Sequence, residues 1–538
     1  MRAVATVVGA VTLVVLAAST AAAAHTRGTT RCVGPRTGCF RTLAAAVKAA
    51  RDGDTIVLAS GTYAGVVIDK SVTVVGAGAH ATKLSGGGPV LTIGGGMGRG
   101  LDVSISKLTI TGGVSRSSPR AGCGPDIPDC GRGYARATAL AGGIEVLPTM
   151  TVTVTDSVIT GNRADPGVAV PSVTATCPDG PCSFAQAAAG GIDNWGTLTL
   201  VRTRVSNNRA GGALTAQADG GGIVNELRSS LTLVDSTVTG NRATTGPDGR
   251  FADGGGIYVD RFGTVVLRGS VVSHNSSSLT STYPKSVREM SATTGGIFVG
   301  NGGTVTVDGT TISGNVVSVE DREGDPIGID AGICVCGPRT TLVMRNSKVT
   351  NNLVTVTVET SIAAAGGSGG ALEADGDATI TGVRVTGNRV LVRTSDGLAL
   401  AIAVVILLDG DKTPAQLDGT VISGNSVSAS STTGSVGIFG AGLANNRPTV
   451  LANVQIMRNV ARATAPTGWV RGGGVFNGLV FFRPTPELTL RSSSVTSNSI
   501  EVSAGITGQG GGLFTKGFHV TMQRSVIANN RPDQCFGC

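Results

Sequence analysis

One phrase of about twenty residues recurs down the chain, and it constrains the fold more than any other feature. It opens on Gly-Gly-Ile, runs through a few residues and a short alternating stretch, and closes a second stretch on Gly-Asn or Asn-Asn. It reads GGIDNWGTLTLVRTRVSNN over 190–208, GGIVNELRSSLTLVDSTVTGN over 221–241 and GGIYVDRFGTVVLRGSVVSHN over 255–275. Related copies follow over 295–315, 331–352 and 369–388. The closing asparagines are Asn162, Asn208, Asn241, Asn275, Asn315, Asn352, Asn388, Asn425, Asn459, Asn498 and Asn530, on average about 37 residues apart. A unit this short cannot bury an apolar face alone, so the copies must stack as a solenoid.

Inside each copy the period is two, as in Thr197-Leu198-Thr199-Leu200 and Thr304-Val305-Thr306-Val307. Alternating β-branched and aliphatic residues suit short strands with one buried face. Each copy is expected to hold three strand-length pieces separated by turns, one coil of a parallel β-helix. Glycine at the first corner permits positive φ or close approach to the next coil. Asparagine at the last corner tolerates the left-handed region and can pair with the asparagines stacked on either side, a structural column. Between each Asn and the next Gly-Gly the sequence varies, as over 163–189, 276–294 and 316–330, which reads as corner inserts displayed on a constant scaffold.

Composition agrees with a narrow coil interior. There are 82 glycines in 538 residues but only 12 Phe, 4 Tyr and 2 Trp, and 14% of residues are charged. That is a poor recipe for a helix-rich core. The glycines lack the every-third-residue spacing of collagen, and 41% apolar residues argue against disorder. The formal charge of +8 is scattered rather than clustered, with few aromatic residues among the basic ones, so nucleic acid is not the expected partner. A mildly basic surface suits an acidic polysaccharide or another cell-envelope component.

Residues 1–24 place Arg2 before the apolar run 7–16 and end in Ala22-Ala23-Ala24, the order of a secretory signal peptide cut before His25. The second most apolar run, Leu398 to Leu408, is too short to span a bilayer and reads as buried strand, so no transmembrane segment is expected in the mature, secreted chain. Export makes cysteine pairing expected. The ten cysteines form five close pairs, Cys32/Cys39, Cys123/Cys130, Cys177/Cys182, Cys334/Cys336 and Cys535/Cys538, all candidates for short loop staples.

Before the repeats stands a different passage. Residues 41–51 read as a short Ala-rich amphipathic helix with Leu43, Val47 and Ala50 on one face, followed by strands. Laid over the open end of a coil stack, it would cover unpaired edge groups. The order Phe40-Arg41-Thr42-Leu43, then Asp52-Gly53-Asp54-Thr55-Ile56-Val57-Leu58, Gly61-Thr62-Tyr63 and Asp69-Lys70-Ser71-Val72-Thr73-Val74-Val75-Gly76 resembles the start of right-handed parallel β-helix proteins of the pectin-lyase-like superfamily. The downstream phrase is similar to repeats of secreted bacterial β-helix proteins and of polymorphic outer-membrane proteins. The resemblance covers about residues 40–530 and implies an all-β, right-handed parallel β-helix with a short N-terminal capping helix. The expected division is a signal peptide over 1–24, cap and first coils over 25–90, and β-helix repeats with corner inserts over 91–538.

The superfamily mixes enzymes with adhesins, and its fold does not choose between them. The Asn-Thr-Asp, Asp-Asp, Gly-His-Gly and Arg-Ile-Lys set of polygalacturonase-like members has no counterpart here; His274 sits at a repeat corner and His80 in a turn. Acidic residues supply the remaining candidates. Glu226 and Asp260 share an offset in consecutive copies, about 4.8 Å apart when stacked, so they need a proton or a cation. Glu373, Asp375, Asp377, Asp409 and Asp411 fall in two successive copies and form an oxygen-rich candidate for Ca²⁺, the one cofactor considered. The leading expectation is a secreted, non-catalytic, adhesin-like scaffold that binds extracellular glycan or another macromolecule. The alternative is a carbohydrate-active enzyme, a polysaccharide lyase, with catalytic residues unassigned.

Overall fold

The structure is a computed structural model describing residues 28–95, 99–117, 120–121, 135–167, 176–177, 180–181, 183–247, 249–281, 290–324, 326–360, 364–402, 406–409, 414–478, 486–515 and 517–538. The signal-peptide assignment, with its cleavage before His25, lies outside the described residues.

One coil gives the plan. Ile223–Asn225, Ser230–Val234, Thr237–Thr239, Arg242–Thr244 and Phe251–Asp253 are strands. Each pairs in parallel with its counterpart one coil along: Ile223 with Ile257, Leu231 with Val265, Val238 with Val272, Ala243 with Ser277 and Ala252 with Ala292. Propagated along the stack, these strands make five sheets, here I to V in coil order, of 14, 15, 14, 11 and 12 strands among the described residues, parallel throughout except where Arg120–Ala121 pairs antiparallel with Ala135–Leu140 in sheet V. The chain is an all-β parallel β-helix.

The expectation of three strands per coil is therefore corrected to five, for a physical reason. A left-handed residue bends the chain between sheets II and III, at Asp235 with φ 49° and at Gly269 with φ 57°. The region between each Asn and the next Gly-Gly, expected to be insert, contributes sheets IV and V as well: Val316–Glu323 and Leu353–Thr360 are strands in register. Their period-two alternation, Val317 and Val319 inward with Val316 and Ser318 outward, is the same signal that marks the constant phrase. The run Leu398 to Leu408 supplies strands Leu398–Ile402 and Ile406–Leu408 to sheets V and I.

The core is a set of axial stacks. Along sheet I, Ile192, Ile223, Ile257, Ile297, Ile333, Leu372 and Ile406 lie one above another and are inaccessible to solvent. Each such side chain contributes about 1.5–3 kcal/mol on burial. Opposite, hydroxyls close the bend between sheets II and III. The Thr203 amide donates to Ser236 Oγ at 3.1 Å, Ser236 to Ser270 at 3.2 Å, and Ser270 to Thr310 at 3.3 Å.

At the N-terminal end the helix α1 (Leu43–Ala49) buries Leu43, Ala46 and Val47, and the Thr42 hydroxyl accepts from the Ala45 amide at 3.2 Å as its N-cap. No helix among the described residues is long and apolar enough to cross a membrane.

Candidate functional site

The outer face of sheet I is hemmed in by the corner that leads into it, and most of its outward side chains are buried. At the corner from sheet V, a left-handed glycine brings the chain back so sharply that a Cβ on Gly254 would meet the Tyr258 side chain, four residues on, at 2.8 Å. The middle residue of each sheet I strand points away from the core onto this face. In successive coils the column reads Glu145, Asp193, Val224, Tyr258, Phe298, Cys334, Glu373, Leu407, Ala444, Phe476, Phe514. From Asp193 to Phe514 this floor is nine strand spacings long, about 43 Å at about 4.8 Å each. Its walls are the last residues of sheet V, such as Asp219 and Asp253, and the first residues after sheet I, such as Trp195, Glu226 and Asp260.

Carboxylates crowd the first third of the groove. Asp193 is fully buried, and Trp195 Nε1 donates to its Oδ2 at 3.1 Å. Its carboxyl lies close enough to that of Glu226 for the two charges to act on each other. Burial first, then the Asp193 and Asp260 charges, push Glu226 up to about 9, while burial with the Glu145 charge raises Asp193 to about 7. Two acids this close cannot both ionise there, and the pair holds a proton at neutral pH. Asp219 accepts from Gln186 Nε2 at 3.0 Å and Gln217 Nε2 at 2.9 Å, yet burial still raises it to about 7. Burial also raises Asp253, with the Asp219 charge adding to it. Glu226 and Asp260 occupy equivalent places in adjacent coils, following Asn225 and Val259, which are register partners.

A second carboxylate group lies further along. Of the five residues expected to hold Ca²⁺, Glu373, Asp375 and Asp409 come together in the groove, whereas Asp377 is exposed at the start of a sheet II strand. Asp411 lies outside the described residues. Asp330, unexpected from sequence, joins them: fully buried, with φ 46°, it places both carboxylate oxygens beside Glu373 without a hydrogen-bond partner. Burial raises Asp330 and Glu373 well above the carboxylate range, and the Asp375 charge adds to both. Burial also raises Asp375, against the lowering effect of the Gly337 amide, which donates to it at 2.6 Å. Arg447, also fully buried, supplies a counter-charge and donates from Nη1 to the Asp409 carbonyl at 3.0 Å. One ligand atom each from Asp330, Cys334, Cys336 and Glu373 lies within 4.8 Å of the others, but Cys334 and Cys336 are joined in a disulfide, leaving the carboxylates as the donors for a hard cation.

The last third is aromatic. Phe439, Phe476, Phe514 and Phe536 stack with centroids 4.8, 5.5 and 5.3 Å apart, Trp469 packs on Phe439 at 4.3 Å, and the Arg471 guanidinium covers Trp469 and Phe514. A low aromatic count offers no hint that Phe476, Phe514 and Phe536 share one column, flanked by Phe439 and Trp469 from sheet V.

The architecture has a counterpart among known families. Residues 142–354 match the model of the right handed beta helix region. No curated protein matches the chain. The matched part of the β-helix carries the first carboxylate group and reaches Asp330, while Glu373, Asp375, Arg447 and the aromatic floor lie beyond it.

The asparagines sit on the far side of the β-helix, at the corner from sheet III to sheet IV. From Asn162 to Asn498 the amide and the Nδ2 of each donate to Oδ1 of the next, as from Asn208 to Asn241 at 3.0 Å in both cases. Gln534 Oε1 takes the place of a twelfth asparagine, accepting from the Asn530 amide at 3.0 Å. All eleven are buried, with no atom offered to a ligand. Cys32–Cys39 and Cys535–Cys538 are bonded at the two ends of the stack. Cys123, Cys130 and Cys182 lie outside the described residues; Cys177 ends the strand Thr176–Cys177.

Proposed function

We propose that the protein is a secreted β-helix scaffold whose sheet I groove binds an extended glycan without breaking it. The observation that carries this is the rim above the buried floor column, where Trp195, Glu226 and Asp260 and, further along, Phe439 and Trp469 stay partly exposed beside a column about 43 Å long. Such a rim matches a linear chain of repeating units. Carboxyls hydrogen-bond to hydroxyls, and the half-exposed faces of Trp195, Phe439 and Trp469 suit the apolar C–H faces of sugar rings. The acidic lining opposes a uronate chain and favours neutral or amine-bearing sugars, which revises the expectation drawn from the overall charge of +8.

Titration calorimetry with oligomers of glucose, glucosamine and galacturonate tests the reading. Binding to the first two, weakened about tenfold or more in Trp195→Ala and Glu226→Ala, is expected. Preference for galacturonate, or affinity indifferent to both substitutions, overturns it. Fractionation of producing cells, with the protein recovered outside or on the envelope, tests secretion.

A polysaccharide lyase is the second reading, favoured by the unpartnered oxygens of Asp330, Glu373 and Asp375. Ca²⁺ bound there would turn the repulsion of a uronate into attraction. Ca²⁺-dependent appearance of ultraviolet-absorbing unsaturated uronate, lost in Asp375→Asn, would establish it in place of the scaffold.

A further inference from the structure

The flank of the β-helix away from the groove carries charge of the opposite sign. Sheet IV opens on arginine in three successive coils, with Arg163 beside Arg209 and Arg209 beside Arg242 in parallel register. Strand spacing of about 4.8 Å holds these like charges close. Asp165 answers one of them, its Oδ2 2.5 Å from Arg163 Nη2. Burial, then the charges of Arg163 and Arg242, make Arg209 easier to deprotonate than a free arginine, and Asp165 offsets only part of this.

Over these strands lies a cavity of about 420 Å³ lined by Arg163, Arg209, Gly212, Thr245, Pro247 and Thr280. Three donor atoms in its lining residues are buried without a hydrogen-bond partner: Nε of Arg163, Nε of Arg209 and Oγ1 of Thr245. Thr245 is 5% exposed, so its hydroxyl is not solvated from outside. Leaving buried donors unpaired costs about 1–3 kcal/mol each, and turning them toward an acceptor in the pocket would recover it.

Surplus positive charge, two guanidinium groups and a hydroxyl define the acceptor. Guanidinium N–H groups match phosphate and sulfate oxygens. A tetrahedral oxyanion accepts from three directions at once, which a planar carboxylate does less well. The volume lies in the range of small-molecule sites, about 300–1,000 Å³, and leaves room beyond the anion. We propose that this cavity binds a small phosphate- or sulfate-bearing molecule, with its oxyanion held by Arg163, Arg209 and Thr245.

The test is calorimetry on the full chain with inorganic phosphate, inorganic sulfate, glucose 6-phosphate and, as the uncharged control, glucose. Saturable binding of the anionic probes, weakening with salt and absent for glucose, is expected. Arg209→Gln should weaken it about tenfold or more, and Thr245→Val, nearly isosteric, about three- to tenfold. Circular dichroism matching the parent shows that each variant folds. Tighter binding of glucose 6-phosphate than of phosphate identifies an organic ligand, and equal binding a free anion; either supports the site. No saturable binding of any anion, or affinities unchanged in both variants, overturns it.

Discussion

The backbone amide and the side-chain Nδ2 of Asn241 both donate to a single atom, Oδ1 of Asn275, at 3.0 and 2.9 Å. Asn241 Nδ2 also donates to the Val205 carbonyl, and Asn275 Nδ2 to that of Val238, so each rung ties a coil to the coils on either side. Asn275→Ala removes the acceptor shared by two buried donors. At about 1–3 kcal/mol for each donor left unpaired, the corner should lose about 3 kcal/mol or more. Because a solenoid opens locally, the measurement is hydrogen exchange at the Asn241 amide, which should accelerate far more than amides several coils away. Uniform protection across the β-helix would show that the rung carries no local stability.

This column was legible from sequence because every rung fills the same place in its coil, so a spacing of about 37 residues was enough. The hydroxyl series Thr203, Ser236, Ser270 and Thr310 also keeps a fixed offset, yet Val383 and Val454 interrupt it, and serine and threonine are too common to stand out. The groove was legible only in part. Glu226 and Asp260 sit at equal offsets and were found, but Asp193 approaches Glu226 from a different offset in the neighbouring coil. Arg447 and Asp330 could not be assigned by alternation, because one follows a sheet I strand and the other occupies a corner where most coils have glycine.

The raised carboxyls of the groove fix the sign of its pH dependence. Glu226 at about 9 and Asp193 at about 7 hold protons that the unfolded chain releases near pH 4. The stability they contribute is complete below the unfolded values and is lost as pH rises toward the folded ones. Thermal unfolding should therefore shift downward between pH 5 and about 9. Glu226→Gln, which mimics the protonated acid, should leave stability at pH 5 nearly unchanged and raise it at pH 9 by about 1–3 kcal/mol. A variant no more stable than the parent at pH 9 would contradict the shared proton.

The cap responds with the opposite sign. Asp54 accepts from the Arg51 amide at 2.9 Å, the Thr29 amide at 2.7 Å and Arg31 Nε at 2.8 Å. These bonds, that from Arg51 foremost, lower its titration despite burial. Its stabilising effect is present above the unfolded value near 4 and disappears as pH falls through the lowered folded one. Asp54→Ala should cost about 1–3 kcal/mol at neutral pH and less at pH 2, read as exchange at the Thr55 amide, which bonds the Thr29 carbonyl. An effect of equal size at both pH values would assign the loss to packing instead.

Gly369 and Asp330 occupy the same corner in adjacent coils, and a Cβ on Gly369 would fall on Asp330 Oδ1. The corner itself does not demand glycine: Ala141 and Ala189 stand there with φ of 49° and 57°, close to the 50° of Gly369. What excludes a methyl at 369 is therefore the Asp330 carboxylate more than the left-handed backbone. Gly369→Ala alone should destabilise by about 1–3 kcal/mol, the range for overpacking. Asp330→Gly removes the obstacle together with a buried acid that has no hydrogen-bond partner, so it should be neutral or stabilising at neutral pH. In the double variant Gly369→Ala should then cost well below its value alone, and a coupling energy of about 1 kcal/mol or more from the four unfolding curves is the expected result. Additive effects would return the requirement for glycine to the backbone.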